Sequence, residues 1–329
     1  MNLGFPAAGR LGGIRIRHSS DGAAGECGQR THLWRDWSLA DLMRAKEATG
    51  QTVSLVVPAR NEAATVGAVV GRVRAALMDT LSLLDEIVVI DSDSEDDTFA
   101  VAEDAGAVVH RSCDIRPDLG SQPGKGEAMW KSLFVTHGDL LVFMDADLID
   151  WDTHFVPGLL GPLLTSREIA LVKSCYERPY VAGGSASAHE GGRVTELVAR
   201  PLIALLFPEL AWLAQPLAGE WAIRRSLFET LSVPTGYAVE LAALVDTARS
   251  LGAGAIAQVH LGRRTHRHQS LGDLGAMATQ VMAAGWARAT GKPSPDAVML
   301  SRRLLAGGAP IEQTRLVPLT ERPPAKGVA

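Results

Sequence analysis

The chain has 329 residues, 47% of them hydrophobic and 21% charged, which is enough for one large globular domain or two modest ones. Its net charge of -5 at pH 7 argues against a nucleic-acid-binding surface, so any anion site must be local. Cys27, Cys113 and Cys175 are far apart and form no CxxC pair, which argues against a disulfide framework or a zinc site and favours a cytoplasmic location.

The first half of the chain alternates short apolar strands with helical patterns. Residues 1–30 lack the apolar stretch of a signal peptide and are expected to form a mobile leader. Strands are then predicted at VSLVVPA (53–59), DEIVVIDSDS (85–94), AVVH (107–110), DLLVFMDADL (139–148) and EIALVKSCYE (168–177), with helices at 62–80, 95–106 and 124–138. Gly106 is expected to cap the second helix. This βαβ series predicts a Rossmann-like, mostly parallel α/β sheet with flanking helices.

The pattern changes after about residue 180. A Gly/Ser-rich loop is predicted over 181–197, a helix over 237–252, a strand over 255–264, a helix over 271–291 and a disordered Pro-rich tail over 317–329. The apolar segment 197–219 contains Arg200, Glu209 and three prolines, so we interpret it as a buried or interfacial helix without stable membrane insertion.

Polar groups follow three of the predicted strands. They are PARNE (58–62), DSDS (91–94) and Asp145-Ala146-Asp147. In open parallel sheets, ligands bind at the carboxyl ends of the strands. Two aspartates at such an end can turn toward one hard cation such as Mg²⁺ or Mn²⁺, although a turn with solvated aspartates is the alternative for this motif alone. No GxGxxG follows the first strand and no GxxxxGK[ST] occurs, which weakens NAD-binding and P-loop interpretations.

Basic residues in glycine-rich surroundings are candidate anion ligands. Lys125 lies between two glycines that allow close approach of a phosphate. Arg193 and Thr195, in GGRVTEL, suit a small phosphate or carboxylate. The run RRTHRH (263–268) includes His266, a residue type that commonly binds metals. Each of these groups is alternatively a solvated loop residue, and Asn61 is alternatively a helix cap.

The motifs VVPARNEAATVG, VIDSDSEDDT, PGKGEAMWKSL, MDADL, GGRVTEL, QPLAGEWAIRR, PTGYAVE and RRTHRHQ together resemble the glucosyl-3-phosphoglycerate synthase family. These are nucleotide-sugar-dependent glycosyltransferases of the GT-A fold. The resemblance covers roughly residues 50–290. One departure is Arg60, which stands where the family's PALNE motif often has leucine.

The resemblance implies a set of site residues. The metal ligands would be Asp147 and His266. The nucleotide-sugar contacts would be Pro58, Ala59, Arg60, Asn61, Glu62, Ser92, Lys125, Asp145, Ala146, Glu220, Tyr237 and Glu240. The acceptor contacts would be Gly192, Arg193, Val194, Thr195 and His268. The catalytic groups would be Asp147, Lys125, Arg264 and Glu240, with Arg264 facing the diphosphate. Glu220 and Glu240 are alternatively helix-surface charges.

The reaction implied by the resemblance is glucosyl transfer from UDP-glucose to the 2-hydroxyl of D-3-phosphoglycerate, using Mg²⁺ or Mn²⁺. Retention of configuration and a product that primes methylglucose lipopolysaccharide synthesis are also implied. Same-face attack is favoured over a carboxylate nucleophile, and a metal-type DxD motif is not the acid/base pair of a glycosidase. The alternatives are a mannosyl-3-phosphoglycerate synthase or another GT-A enzyme, a sugar nucleotidyltransferase, and a non-catalytic nucleotide-sugar-binding protein.

The expected organisation follows from the same reasoning. Residues 31–180 would form the nucleotide-sugar-binding half, residues 181–300 the acceptor-binding and dimerisation region of the same domain, and residues 301–329 a partly disordered tail. The apolar segment 197–219 predicts a homodimer interface, as the resemblance also implies.

Overall fold

The computed structural model of this chain describes residues 30–177, 180–182, 185–187, 192–264, 270–306 and 309–328. The strands of these residues are β1 (Thr31–Leu33), β2 (Val53–Ala59), β3 (Glu86–Asp91), β4 (Val108–Arg111), β5 (Leu140–Phe143), β6 (Leu171–Glu177), β7 (Tyr180–Ala182), β8 (Ser185–Ser187), β9 (Trp221–Arg224), β10 (Val233–Pro234), β11 (Ile256–Arg263), β12 (Ala297–Ala306), β13 (Ala309–Pro318) and β14 (Glu321–Arg322). The α-helices are α1 (Leu39–Thr49), α2 (Val66–Arg74), α3 (Thr98–Asp104), α4 (Lys125–Ser132), α5 (Phe155–Thr165), α6 (Arg200–Leu206), α7 (Arg225–Phe228), α8 (Val239–Leu251) and α9 (Leu271–Thr290).

The central sheet of the described residues has eight strands in the order β1-β11-β6-β9-β5-β2-β3-β4. Neighbouring strands are parallel except where β9 pairs with β5 and β6. Because β9 runs in the opposite direction, its amino end lies at the edge where the other strands have their carboxyl ends. That edge therefore brings together the residues that follow β2, β3, β5, β6 and β11 and those that precede β9.

Alternate residues of the strands pack on opposite faces of the sheet. On β2, Val53, Leu55 and Val57 join one core with α1, α2 and α5, whereas Val56 joins a second core with α4, α6 and α8. All four side chains are 0% exposed, and burying each contributes about 1.5–3 kcal/mol. Burial on both faces is the reason that these strands are continuous apolar runs in the sequence.

The predicted strands are present, and the predicted helices are mostly shorter than expected. The helix predicted over 62–80 is α2 followed by a π-helical turn, Ala75–Asp79. The helix predicted over 124–138 ends at Ser132. Gly106 has a φ of 94° one residue beyond the C-cap of α3, a backbone conformation that glycine adopts readily. The short strands β1 and β9 were not predicted.

The segment 197–219 is not the single helix that was expected. It begins in a π-helical turn (Thr195–Ala199), continues as α6 and then changes to a 3-10 turn (Pro208–Leu210). Pro208 cannot donate a backbone hydrogen bond, so it ends the helix. The Gly/Ser-rich loop predicted over 181–197 is also partly wrong, since the described part includes the β7–β8 hairpin and is helical from Arg193.

The expectation of a disordered tail was wrong. Strands β12 and β13 form a hairpin, and β14 pairs with β10. The indole N–H of Trp130 donates to the Pro323 carbonyl (2.8 Å), and the Lys326 N–H donates to the Glu229 carbonyl (2.9 Å). Proline-rich composition did not prevent order because the segment pairs with a strand and its carbonyl groups receive hydrogen bonds from the body of the protein.

In the part of the chain that the structure describes, no helix is both long enough and apolar enough to cross a membrane.

Candidate active site

The loops after β2 and β3 are joined by hydrogen bonds. The Asn61 N–H donates to Ser94 Oγ (2.9 Å), and the Glu95 N–H donates to the Asn61 side-chain oxygen (2.8 Å). Asn61 has a φ of 55°, a left-handed conformation in which asparagine is enriched. Its side chain therefore connects two loops instead of capping α2, whose N-cap is Thr65.

The predicted nucleoside contacts lie together at this position. The Ser92 N–H donates to the Ala59 carbonyl (2.8 Å), which places the end of β3 beside the end of β2. Arg60, which stands where the family often has leucine, has an exposed side chain that faces solvent. The predicted residues that the structure brings together here are Pro58, Ala59, Arg60, Asn61, Glu62 and Ser92.

The Asp145 carboxylate lies between two cations. Its Oδ1 is 2.5 Å from Lys125 Nζ, and its Oδ2 is 2.9 Å from Arg264 Nη2. Burial opposes ionisation, yet the charges and hydrogen bonds of these two cations hold the pKa of Asp145 well below its usual range. The Met144 N–H donates to the Val56 carbonyl (3.1 Å), which keeps this carboxylate beside the end of β2.

Lys125 is the first residue of α4, and its ammonium group also contacts Glu240 Oε1 at 3.0 Å. Although burial disfavours the charge, Asp145 and Glu240 raise the pKa of Lys125, so it remains protonated. Its flanking glycines are required by chain packing. A Cβ on Gly124 or Gly126 would overlap the backbone of residues 234–236, and the predicted approach of a phosphate stays a prediction.

The Arg264 guanidinium holds several carboxylates together. It is 3% exposed, and its Nη1 donates to Glu220 Oε2 (2.9 Å) and to the Tyr176 hydroxyl (2.6 Å). The Tyr176 hydroxyl in turn donates to Glu220 Oε2 at 2.9 Å. These contacts, together with that to Asp145, indicate a residue that positions carboxylates, and the predicted role of Arg264 toward the diphosphate stays a prediction.

Glu220 lies beneath the site. It directly precedes β9 and is 0% exposed. It is therefore not a helix-surface charge, and its predicted contact with the sugar stays a prediction. Gly219 explains the close packing here, since a Cβ at that position would overlap the Asp145 carboxylate.

Asp147 is the more open carboxylate of the pair. Its side chain is 35% exposed, and the nearest cation among the described residues, Arg264 Nη2, is 3.8 Å away. Burial and the negative charge of Asp145 raise the pKa of Asp147. An oxygen ligand short of a positive partner fits a hard divalent cation.

The charges around the site support the same interpretation. Among the described residues, Lys125 or Arg264 contacts each carboxylate of the site within 3.8 Å, and the contact of Asp147 is the longest; the carboxylates are Asp145, Asp147, Glu220 and Glu240. Within the described residues, no cluster of three His, Cys, Asp or Glu residues could hold a metal alone. An ion at Asp147 would therefore need further ligands, and the predicted ligand His266 lies outside the described residues.

Lys173 belongs to the site but was missed in the sequence. It lies on β6, is 1% exposed, and donates from Nζ to the Ala218 carbonyl (2.5 Å). Burial lowers the pKa of Lys173 to about 7. Because Ala218 leads into Gly219, Lys173 supports the segment that packs against Asp145. Its position inside the apolar run ALVKSC is the signal that could have identified a buried lysine.

The predicted acceptor residues lie at the start of the helical segment that leads into α6. Gly192 has a φ of 99°, and its carbonyl accepts the Glu196 N–H at 3.0 Å. Val194 and Thr195 are 8% and 5% exposed, whereas Arg193 is half-buried. The other predicted acceptor contact, His268, lies outside the described residues. Tyr237 is 42% exposed and Glu240 is 4% exposed.

Comparisons with known proteins agree with this geometry. A family model, "Glycosyl transferase family 2", matches residues 54–231. The glucosyl-3-phosphoglycerate synthase of Mycolicibacterium paratuberculosis is 43% identical over 98% of this chain and 97% of its own. That of Mycolicibacterium smegmatis is 46% identical over 89% of this chain and 95% of its own.

The chain belongs to the glucosyl-3-phosphoglycerate synthase family. Two solved structures of the Mycobacterium tuberculosis family member are 44% identical to this chain, each with a TM-score of 0.79 and each covering 90% of it. One contains Mn²⁺, UDP-glucose and phosphoglyceric acid and is matched over 97% of its length; the other contains Mg²⁺ and UDP and is matched over 98%. Membership in the glucosyl-3-phosphoglycerate synthase family confirms the predicted family and the predicted GT-A fold.

Proposed function

We propose that this protein transfers glucose from UDP-glucose to the 2-hydroxyl of D-3-phosphoglycerate with the help of Mg²⁺ or Mn²⁺. The observation that carries the proposal is the Asp145–Asp147 cluster at the carboxyl edge of the sheet. Solved structures of the same fold that are 44% identical hold UDP-glucose, phosphoglyceric acid and Mn²⁺, which supports these substrates. Cys113 and Cys175 are free thiols, which supports the proposed cytoplasmic location.

The nucleoside is proposed to bind the joined loops after β2 and β3. The hydrogen bonds through Asn61 fix these loops before a ligand arrives, so little ordering entropy is lost on binding. The Asn61 side-chain oxygen accepts the Glu95 N–H, so its amide NH₂ is the group proposed to contact the base or ribose. Glu62 is proposed to contact the same part of the donor.

Asp147 is proposed to hold the divalent ion, with His266 and the substrate diphosphate as further ligands. When bound, the ion supplies Lewis-acid stabilisation of the leaving UDP. Lys125 adds a fixed positive charge beside Asp145, and its raised pKa keeps that charge present at neutral pH. Arg264 contributes by holding Asp145 and Glu220 in place, which preserves the geometry of both neighbouring groups.

The arrangement of carboxylates supports transfer with retention by same-face attack. A carboxylate that is paired closely with a cation is a weaker nucleophile. In the described part of the site, Asp145, Glu220 and Glu240 each contact a cation at 3.0 Å or less. Asp147 is assigned to the metal. The acceptor hydroxyl would therefore attack from the side of the leaving phosphate, giving a product that we propose primes methylglucose lipopolysaccharide synthesis.

The test of this function is a grid of donors and acceptors with purified protein. UDP-glucose and GDP-mannose are each combined with 3-phosphoglycerate, and UTP is combined with glucose 1-phosphate. Each reaction is run with Mg²⁺, with Mn²⁺ and with chelator. Turnover of UDP-glucose with 3-phosphoglycerate that stops with chelator supports the proposal. Preference for GDP-mannose, release of pyrophosphate from UTP, or binding without turnover would each replace it with the corresponding alternative.

Arg193 is proposed to bind the acceptor, so Arg193→Ala should raise the KM for 3-phosphoglycerate and leave the KM for UDP-glucose nearly unchanged. Loss of one charge-assisted hydrogen bond is worth about 1.5–3 kcal/mol, so the KM should rise about ten- to a hundredfold. Steady-state kinetics with each substrate varied in turn would measure both values. A damaged donor KM with an unchanged acceptor KM would show that the two pockets have been assigned the wrong way round.

A homodimer is proposed from an apolar face of α6, α9 and the β12–β13 hairpin. Helix α6 packs on α9, and α9 packs on β13. Leu205 is 80% exposed, Trp286 60% and Leu305 81%. Exposed apolar side chains on adjoining elements usually mark an interface.

Light scattering is expected to give a dimeric mass for the wild-type protein at micromolar concentration. Leu205→Glu should shift the mass toward the monomer, because a charge would be buried in the interface. Val108→Glu is the control, since Val108 is 54% exposed on the edge strand β4, away from this face. A wild-type monomer, or equal effects of both variants, would contradict the proposed interface.

A further inference from the structure

The C-terminal strand β14 is hydrogen-bonded to α4, the helix that begins at Lys125. Arg322 Nε donates to Glu127 Oε2 (2.7 Å), and Arg322 Nη2 donates to Glu127 Oε1 (2.6 Å). The Arg322 side chain is 13% exposed and that of Glu127 is 1% exposed. Glu127 lies in the first turn of α4, two residues after Lys125. A paired, directional contact between the tail and this turn limits how far the turn can move.

The same guanidinium fixes the loop that precedes Lys125. Arg322 Nη1 donates to the Leu119 carbonyl (2.9 Å), and Nη2 donates to the Gly120 carbonyl (3.1 Å). Glu127 Oε1 also accepts the Gln122 N–H at 3.2 Å. Residues 119–122 are therefore attached to the Arg322–Glu127 pair.

The opposite side of this turn rests on a segment that β14 also holds. The Glu127 N–H donates to the Thr235 carbonyl (2.9 Å), and the Thr235 N–H donates to the Thr320 carbonyl (3.0 Å). Antiparallel pairing of β10 with β14 continues this contact. The chain then runs from Thr235 through Tyr237 to Glu240, the partner of Lys125. Both segments that meet at the Lys125–Glu240 ion pair are thus attached to the tail.

We propose that residues 319–328 are a positioning element of the donor site and that Arg322 is its positioning residue. Arg322 holds the loop 119–122 and the first turn of α4 so that Lys125 stays against Asp145 and Glu240. Without it, the nearest cation to the buried Glu127 is Lys131, at 3.8 Å. The inference rests on the proposed donor-binding role of Lys125, because small displacements of a positioned charge weaken its effect.

The test measures binding of UDP with Mn²⁺ by calorimetry, and the melting temperature, for full-length variants. Arg322→Met should weaken UDP binding about ten- to a hundredfold. Arg322→Lys should restore little of the UDP affinity, because an ammonium group cannot make the two parallel hydrogen bonds that a guanidinium makes to a carboxylate. Arg224→Met is the control. Arg224 is a partly buried arginine whose guanidinium donates to the Leu163, Ser166 and Ile169 carbonyls, at the opposite edge of the sheet from the site. Its loss should lower the melting temperature and leave UDP affinity unchanged.

A double-mutant cycle separates an effect of Arg322 on the position of Lys125 from a general loss of rigidity in the fold. If Arg322 acts through Lys125, Arg322→Met should weaken UDP binding much less in a Lys125→Met protein than in the wild type. Equal losses in both backgrounds would overturn the inference, as would an Arg224→Met protein whose UDP binding weakens as much as that of Arg322→Met. Normal UDP binding by Arg322→Met would overturn it while leaving the proposed function in place. Failure of the wild-type protein to bind UDP would instead overturn the proposed function, and this inference with it.

Discussion

Replacing Asp147 by asparagine is expected to reduce turnover by at least about a hundredfold, the typical loss when one preorganised electrostatic group is removed from an active site. The amide keeps the shape of the side chain but removes the charge that we propose holds the metal. The fold should survive, because the side chain is 35% exposed and the nearest cation in the described part of the chain is 3.8 Å away. Steady-state turnover across a range of Mg²⁺ and Mn²⁺ concentrations measures the effect.

Stability should change in the opposite direction to activity. The pKa of Asp147 is raised in the folded protein by burial and by Asp145. A carboxyl group whose folded pKa is raised binds its proton more tightly in the folded state, so its ionised form costs stability at neutral pH. Without metal, Asp147→Asn should therefore melt at the same or a higher temperature than wild type. With Mn²⁺, the wild-type protein should gain stability and the variant should not.

Two further variants make the test specific. Asp150→Asn changes an exposed aspartate of the same segment and should behave as wild type. His266→Ala should weaken the dependence on metal in the same direction as Asp147→Asn. An Asp147→Asn protein that kept both its metal-dependent activity and its metal-dependent melting shift would refute the metal assignment.

Replacing Arg264 by methionine is expected to abolish activity and also to destabilise the fold. The guanidinium lies 2.9 Å from a carboxylate oxygen of both Asp145 and Glu220, and it is 3% exposed. Removing one partner of a buried ion pair leaves an uncompensated charge and typically costs about 3–5 kcal/mol. Denaturant unfolding would measure the loss of stability, and the turnover of the fraction that remains folded would measure the loss of activity.

The Arg264→Met result has a control in Arg224→Met. Arg224 is a partly buried arginine whose guanidinium donates to three backbone carbonyls at the opposite edge of the sheet. Its replacement should cost stability and spare turnover. Arg264→Lys keeps the charge but not the guanidinium that bridges Asp145 and Glu220. It should therefore recover only part of the stability and part of the turnover. If Arg264→Met retained normal turnover in the folded fraction, the positioning role would be refuted.

The part of the site that could be predicted lies at strand ends. Residues 58–62, Ser92 and Asp145 follow apolar runs long enough to identify as buried strands, and parallel strands bring their carboxyl ends to one edge. The motif order along the chain then specified the family. These inferences needed only local patterns and one rule of topology.

The residues that were missed or misplaced depend on contacts between distant parts of the chain. Glu220 reaches the site because β9 runs against its neighbours, and four residues between loops carry little sign of such a strand. Lys173 is a single charge in an apolar strand of the sequence, and its role depends on the hydrogen bond to the distant Ala218 carbonyl. The tail is ordered because Arg322 meets Glu127, 195 positions earlier in the sequence. Composition alone cannot anticipate such pairings.

The most direct test of the proposed activity follows the glucose itself. UDP-glucose labelled with ¹³C at the anomeric carbon is incubated with purified protein, Mg²⁺ and 3-phosphoglycerate, and the label is followed by NMR. We expect the labelled carbon to become bonded through oxygen to carbon 2 of glycerate in the α-configuration, and the reaction to stop when chelator is added. Label that remains in UDP-glucose, passes to water, or transfers without any divalent ion would contradict the proposed function.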